Sequence, residues 1–256
     1  MIDIVIVNYN YGKYIIPLLN SLLKCQDVSF INQTITVVDN KSKDDSVQLI
    51  TDWLYNKDFS CNLIMSENKG YAHAVNLGAR INKSKYIMIL NADMLVLDSF
   101  WKEKFIDTFE SEKNIAVVGC KLIDQFKKVV GAGTMGTFQR RQFRAYGVND
   151  SAIPSDIFNQ PADCINVCGA AYMVRRDIFE KLGGFDEDFF MYYEEEFFSI
   201  KVQKLLGMKV RYIPYTTFLH YSNPSGKFNN ENRYQRISGK TFIRKCKEIG
   251  IQGVQV

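Results

Sequence analysis

Six carboxylates, seven aromatic rings and one methionine share residues 185–198 (FDEDFFMYYEEEFF). Neighbouring carboxylates among aromatic side chains repel one another and lose solvation. Both effects raise pKa, which is the condition of a general base. Glu194, Glu195 and Glu196 equally fit the first turn of a helix running to Leu206, where the helix dipole favours acids. Four other polar clusters each follow an apolar run: Asn8-Tyr9-Asn10, Asp39-Asn40-Lys41-Ser42, Glu67-Asn68-Lys69-Gly70 and Asn91-Ala92-Asp93. Asn, Asp and Gly are also the ordinary residues of turns and helix caps, so one such loop defines nothing. Four on one rim are a candidate ligand site. His220, in a polar setting before Ser222-Asn223-Pro224, is either a ligand or a structural hydrogen-bonding residue.

The elements that must carry these clusters alternate along the chain. Residues 2–7 are an apolar, β-branched run. After the first cluster, Ile15, Ile16, Leu18, Leu19, Leu22 and Leu23 recur at helical spacing. The unit repeats: strand 34–38 and helix 44–55, strand 61–65 and helix 71–81, strand 86–90 and helix 100–109. Apolar runs joined by helices predict parallel strands in an α/β sheet with right-handed crossovers. In such sheets ligands gather outside the carboxyl ends of the strands, where the four clusters stand. Further on, strands are expected at 115–120, 128–133, 168–174 and 208–213, with a helix at 176–182 ended by Gly183-Gly184. Periodicity is lost over 134–163, which carries Arg140, Arg141 and Arg144. That segment reads as an irregular excursion beside a site.

Composition closes off other classes. A chain of 256 residues, 46% hydrophobic and 23% charged, has enough apolar surface for a core without staples. None of the six cysteines forms a CxxC pair, and two histidines leave little for a zinc site, so the cysteines are expected as reduced, core or semi-buried thiols. There is no GxGxxG after the first strand and no GxxxxGK[ST], which argues against a dinucleotide fold and a P-loop. The net charge is only +4, and residues 227–256 alone carry seven Lys and Arg against Glu231 and Glu248. The remainder is near neutral, and no nucleic-acid partner is expected. No apolar run reaches a membrane-spanning length and no signal-like segment opens the sequence, so the expected compartment is the cytoplasm. Within the basic tail, Phe242, Ile243, Cys246 and Ile249 have the spacing of an amphipathic helix over 240–251. Such a helix either lies on an anionic membrane surface or packs on the domain.

Taken together, VIVNYN at 5–10, VVDNKSKDDS at 37–46, ENKGYAHAVNLGAR at 67–80, LNAD at 90–93 and CGAAYMVRRDIFEKLGGFDEDFFMYYEEE at 168–196 resemble the family 2 glycosyltransferases, and among them the bacterial rhamnosyltransferase-like members. The resemblance implies the GT-A nucleotide-diphospho-sugar transferase fold, an α/β fold with a mostly parallel central sheet flanked by helices. It implies one domain over 1–226, with a nucleotide-binding half to about residue 120 and an acceptor and catalytic half to 226, followed by a basic, helical tail at 227–256. The implied reaction is inverting transfer of a sugar, rhamnose from dTDP-rhamnose in the first instance, to a hydroxyl of a saccharide acceptor, often lipid-linked in such members, in cell-surface polysaccharide synthesis. A UDP-hexose or UDP-N-acetylhexosamine donor is the alternative, and a nucleotide-sugar-binding scaffold without turnover is another.

The resemblance also implies tasks for residues. Asp39 accepts a hydrogen bond from the base. Asn8, Tyr9, Asn10, Asn68, Lys69 and Gly70 pack around the nucleoside and its phosphates, with Asn91 and Ala92 beside the diphosphate. Asp93 and His220 hold Mn²⁺ or Mg²⁺, ions that take oxygen ligands and bridge substrate phosphates. Glu195 is the base, with Glu194 as understudy. Departures from the family pattern are visible: Asn91 replaces the first acid of the DxD-type motif, Glu195 stands for an aspartate, Phe197 for a second acid and Lys201 for an arginine. A location on the inner face of the cytoplasmic membrane, through the tail, would suit such an acceptor.

Overall fold

In the first strand, β1 (Ile2–Asn8), Ile2, Ile4 and Ile6 point to one side of the sheet and Val5 and Val7 to the other, as the two-residue period of a strand requires. Both sides are covered by helices, so the run is apolar throughout. The computed structural model describes residues 1–26, 32–55, 61–143, 148–149, 156–221 and 231–256. After β1 come α1 (Gly12–Gln26), β2 (Gln33–Asp39), α2 (Ser46–Tyr55), β3 (Cys61–Met65), α3 (Tyr71–Ala79), β4 (Tyr86–Asn91), β5 (Met94–Val96) and α4 (Trp101–Ser111). The second half holds β6 (Ile115–Ile123), β7 (Lys128–Gly131), β8 (Thr134–Gly136), β9 (Arg141–Phe143), β10 (Val148–Asn149), α5 (Asp156–Asn159) and β11 (Ala162–Asp163). It closes with β12 (Ala171–Arg175), α6 (Arg176–Lys181), α7 (Glu194–Leu206), β13 (Lys209–His220) and α8 (Glu231–Glu248).

Strands β3, β2, β1 and β4 lie side by side and parallel. Next to β4, β12 runs antiparallel and joins it to β6. β13 then follows β6 in parallel and pairs antiparallel with β5. Ile15, Leu18 and Leu22 of α1 pack with Trp101 and Phe105 of α4 on one face. Ala72 and Val75 of α3 pack with Phe179 of α6 and Phe198 and Val202 of α7 on the other. Asp3, the acid that interrupts the first apolar run, is buried but satisfied: Arg176 Nη2 donates to its Oδ2 at 2.5 Å, Ser84 N at 2.9 Å, and Thr34 Oγ1 to its Oδ1 at 2.7 Å. It ties the entry of α6 to the edge of the sheet opposite the polar loops.

Several elements differ from the sequence reading. β5, unforeseen, is three residues long and carries too little pattern to be read. β13 extends seven residues beyond the expected end at 213; it passes Pro214 through a register shift between Ile213 and Thr217, which spares the ladder the missing N–H. The expected strand at 168 starts only at Ala171, because Ala171 N donates to Cys168 O in a turn. The excursion 134–163 contains a β8–β9 hairpin and short pieces β10, α5 and β11, and Arg144 lies outside the described residues. Among the described residues, which include all six cysteines, there is no disulfide.

The tail helix is also corrected. It begins at Glu231, nine residues before the expected 240. Phe242 and Cys246 are fully buried in a third apolar cluster with Phe189, Phe197, Ile200, Ile251 and Val254, and Ile249 packs against it. Of the two settings expected for this stripe, packing on the domain is the one found for Phe242, Cys246 and Ile249. Phe197, which stands where an acid was expected, is a core residue of the same cluster. No helix among the described residues is long and apolar enough to cross a membrane.

Candidate active site

The parallel register Asn8↔Asp39 brings the ends of β1 and β2 together. Asn8 Nδ2 donates to Asp39 Oδ2 at 2.7 Å and to Ser46 Oγ at 2.9 Å. Ser42 N donates to Asp39 Oδ1 at 2.9 Å and Ser42 Oγ to Oδ2 at 2.6 Å. Ser42 Oγ in turn accepts from Asn10 N, and Asn10 Oδ1 accepts from Lys43 N at 2.7 Å. Asn8 and Asp39 are thus fully buried rivets between two loops, and both oxygens of Asp39 are engaged inside the chain. The loop residue that turns toward the ligand space from β2 is the next one, Asn40.

A cavity of about 240 Å³ opens at the carboxyl ends of these strands. Tyr9 and Tyr11 line it from β1, Asn40 from β2, Asn68, Gly70 and Tyr71 from the start of α3, and Asn91, Ala92 and Asp93 from β4. Phe190, Met191 and Tyr234 line it from the C-terminal half. Gly70 has φ 109°, and a Cβ there would lie 2.6 Å from Phe190 O, which also accepts Tyr71 N at 2.7 Å. Only glycine permits that approach. Lys69 is exposed beside the rim.

On the wall formed by Asn91, Ala92 and Asp93, Tyr71 Oη donates to Asn91 Oδ1 at 2.8 Å. Burial pushes the Tyr71 hydroxyl well up, with the charges of Glu194 and Glu195 adding to it, so it stays a donor. The neutral Asn91 suits that donor as an acceptor. β5 pairs with β13 in the register Met94↔His220, and Tyr221 N donates to Asp93 O at 3.0 Å. This places His220 Nε2 3.4 Å from Asp93 Oδ2. A buried carboxylate lining the cavity, with an imidazole beside it, fits Mg²⁺ or Mn²⁺ bound chiefly through substrate phosphates and water. No group of three or more metal-ligating side chains occurs among the described residues, so a dedicated protein cage is not on offer.

Glu194 opens α7, directly after Tyr192 and Tyr193, two consecutive non-glycine residues in the left-handed region (φ 72° and 73°). Strained backbone of this kind concentrates at functional sites. Glu194 is buried, and its Oε2 has no hydrogen-bond partner among the described residues. Burial, then the Glu195 charge, raises its pKa well above the carboxylate range. Burial likewise raises Glu195, opposed by backbone N–H groups and the Asn166 side chain, which stabilise its ionised form. Gly169 makes room for it, since a Cβ there would lie 2.9 Å from Glu195 Cγ. Neither glutamate lines the cavity itself. Both influence Tyr71, which does.

Glu196, next in line, forms a buried ion pair with Arg141 of the 134–163 excursion. Arg141 Nη1 also donates to Phe138 O at 2.9 Å and Nη2 to Gln255 O at 2.7 Å, and its guanidinium lies 4.6 Å from the centre of the Phe242 ring. Burial pushes Glu196 up to about 7, with Arg141 pulling it down. One side chain from the aperiodic segment therefore anchors the start of α7 to the C-terminal residues.

Of the residues expected at the site, Tyr9, Asn68, Gly70, Asn91, Ala92 and Asp93 share the cavity, and His220 joins Asp93. Asn8, Asn10 and Asp39 brace the loops behind it, and Glu194 and Glu195 stand behind Tyr71 and Gly169. Tyr71, Asn40, Asn166, Arg141 and Tyr234 have no individual role in the sequence reading. Tyr71 and Asn40 sit inside motifs already noted. For Arg141, whose ion-pair and ring partners Glu196 and Phe242 lie 55 and 101 residues away, and for Tyr234, whose ring partner lies 44 away, there is no local signal.

A mostly parallel sheet flanked by helices, with a polar-rimmed cavity at the carboxyl ends of its strands and a carboxylate pair behind one wall, is the GT-A fold. The chain belongs to glycosyl transferase family 2, whose profile matches residues 3–183. It is 23% identical over 196 residues to the O-antigen biosynthesis protein RfbC of Myxococcus xanthus, covering 75% of this chain and 15% of that one. It is 24% identical over 241 residues to the rhamnosyltransferase WbbL of Escherichia coli K12, covering 87% of this chain and 84% of WbbL. Its fold matches that of the mannosyltransferase PcManGT from Pyrobaculum calidifontis in complex with GDP-Man and Mn²⁺, with a TM-score of 0.66 at 17% identity, over 96% of this chain and 63% of that one. The chain thus spans less than two thirds of RfbC and of PcManGT.

Proposed function

We propose that the protein transfers a sugar, with inversion, from a nucleoside diphosphate to a hydroxyl of a saccharide acceptor in polysaccharide synthesis. The observation that carries this reading is the cavity wall formed by Asn91, Ala92 and Asp93, with His220 Nε2 3.4 Å from Asp93 Oδ2 through the β5–β13 pairing. Asp93 and His220 would hold Mn²⁺ or Mg²⁺, and the ion would supply positive charge against the departing diphosphate. PcManGT, solved with GDP-Man and Mn²⁺, supports a divalent ion and a nucleotide sugar in this fold.

In the proposed step the ionised Glu195 takes the proton of the acceptor hydroxyl as that oxygen bonds the anomeric carbon. The bond from the anomeric carbon to the diphosphate breaks, and the nucleoside diphosphate leaves with the electron pair. Asn166 and the backbone N–H groups hold the Glu195 carboxylate ionised and oriented. Similarity to WbbL favours dTDP-rhamnose as donor, with UDP-hexose or UDP-N-acetylhexosamine as the alternative. For a lipid-linked acceptor, the anionic inner face of the membrane would be met by Arg233, Arg236, Lys240, Arg244 and Lys247, which are exposed on the outer side of α8. A second reading, a binding scaffold without turnover, draws on Phe197 in the core and on the glutamates set behind the cavity wall.

The test is transfer by Glu195→Gln beside wild type. Loss of transfer by at least 10³-fold with unchanged nucleotide affinity supports the reading. Wild-type turnover in Glu195→Gln would move the base elsewhere, and no transfer by either protein from any nucleotide sugar that binds would favour the scaffold. For the metal, Asp93→Ala is expected to abolish Mn²⁺-dependent nucleotide binding, and unchanged Mn²⁺ affinity by calorimetry would refute the assignment.

A further inference from the structure

The family match ends at residue 183, and the sequence resemblance ends before α8, yet α8 supplies Tyr234 to the cavity wall shared with Asp93, Tyr9 and Tyr71. Tyr234 stacks on Phe190, ring centres 4.8 Å apart at 22°. Phe190 is itself fixed, since its carbonyl receives Tyr71 N at 2.7 Å against Gly70. One turn further along α8, Ser238 Oγ donates to Met191 O at 2.7 Å, and Met191 is another lining residue. Two turns on, Phe242 is buried against Phe197 and Tyr193. Lys245 pairs with Asp186 at 2.7 Å and with Asp188 at 2.8 Å. Residues at 234, 238, 242 and 245 fall on one face of a helix. That face grips the whole 186–193 segment, which ends at Glu194.

We infer that Tyr234 is a specificity-determining residue of the donor site, its ring with that of Phe190 forming an aromatic wall against the apolar face of the donor's sugar. The inference rests on the nucleotide-sugar reading above and adds the part of the donor read by α8. In that reading the diphosphate lies at Asp93 and the acceptor hydroxyl at Glu195, so the sugar is between them. Phe190 and Met191 precede Glu194 by only a few residues and face the same cavity. Tyr9, Asn40 and Asn68 line the same cavity from the loops after the first three strands, and the reading gives them the nucleoside. An aromatic ring offers a rigid apolar surface with two torsions to order, which suits the C–H face of a pyranose and serves a deoxy sugar with a methyl group best.

The experiment is calorimetric titration of the full chain, with Mn²⁺, by nucleoside diphosphates and by their sugar conjugates. Wild type is compared with Tyr234→Ala and with Tyr234→Leu, which keeps an apolar contact to Phe190. In both variants the affinity for the best nucleotide sugar is expected to fall about tenfold, while that for the matching nucleoside diphosphate changes less than about twofold. Equal losses for both ligands would assign Tyr234 to the nucleoside, and unchanged affinity for both would assign it to the fold alone; either overturns the inference. If wild type binds the nucleotides but gains nothing from the sugar, the inference also fails while the donor-site reading stands. If wild type binds no nucleotide, the transferase reading itself is lost.

Discussion

Replacing Arg141 by Met separates the buried Glu196 carboxylate from its counter-charge, and the structure sets how the cost depends on pH. In the wild-type fold burial holds Glu196 up at about 7, against 4.5 for an ordinary glutamate, with Arg141 limiting the rise. A raised carboxylate pKa means that the native state binds the extra proton, so this group's contribution to stability falls by about 1.4 kcal/mol per pH unit between 4.5 and about 7. Above that, the wild-type carboxylate is ionised in both states and its curve flattens. Without Arg141 nothing offsets burial and the neighbouring Glu195 charge, so the native Glu196 keeps its proton well above 7 and stability continues to fall. Loss of the Arg141 hydrogen bonds to Phe138 O and Gln255 O adds a pH-independent cost of about 1–3 kcal/mol. Urea unfolding followed by tryptophan fluorescence, between pH 6 and 9, should show a difference that is constant up to about pH 7 and then widens by roughly 1.4 kcal/mol per unit, about 3 kcal/mol by pH 9. Curves that stay parallel to pH 9 would refute the reasoning and make Glu196 an ionised, solvated residue.

Gly70→Ala places a Cβ 2.6 Å from Phe190 O at φ 109°, and should cost about 1–3 kcal/mol in urea unfolding and weaken nucleotide binding at least tenfold; wild-type binding would show that the 186–193 segment is not seated there. Deleting residues 227–256 removes Phe242, Cys246, Ile251 and Val254 from the third cluster, roughly 6–12 kcal/mol at about 1.5–3 kcal/mol per side chain. That rivals a domain's whole stability, so the shortened chain should lack a cooperative unfolding transition, whereas a sharp one would make α8 an appendage. Because burial raises the Glu194–Glu195 pair and the base must be ionised, kcat/KM should fall on the acid side with its limb above the ordinary 4.5; a limb at or below that value would remove Glu195 from the role.

The first half of the chain was largely legible because strands such as β1 and β2 are buried on both faces and the loops carry turn residues, giving β1 to α3 within a few residues of their positions. Within the loop, Asp39 reads as a base-binding residue, and the structure gives it a bracing task as well: Asn8 Nδ2 and Ser42 Oγ donate to its Oδ2 and Ser42 N to its Oδ1. The Asp93–His220 pairing was legible only by resemblance, since it depends on β5, a strand too short to carry a period, and on β13 continuing past Pro214. The helical spacing of Phe242, Cys246 and Ile249 was read correctly as amphipathic, but periodicity cannot say whether protein or lipid covers the apolar face. Arg141 sits where periodicity vanishes, and its role comes wholly from tertiary contacts with Glu196, Phe242 and Gln255.

The central claim is that the cavity between Tyr9, Asn68 and Asp93 receives a nucleotide with a divalent ion. Thermal unfolding of the protein with Mn²⁺, alone and with dTDP, UDP or GDP, tests it most directly. A nucleotide at about 100 times its dissociation constant should add roughly 2.7 kcal/mol, seen as a clear rise in Tm that requires Mn²⁺ and disappears in Asp93→Ala. No rise with any of the three nucleotides at millimolar concentration, or a rise indifferent to Mn²⁺ and to Asp93, would contradict it.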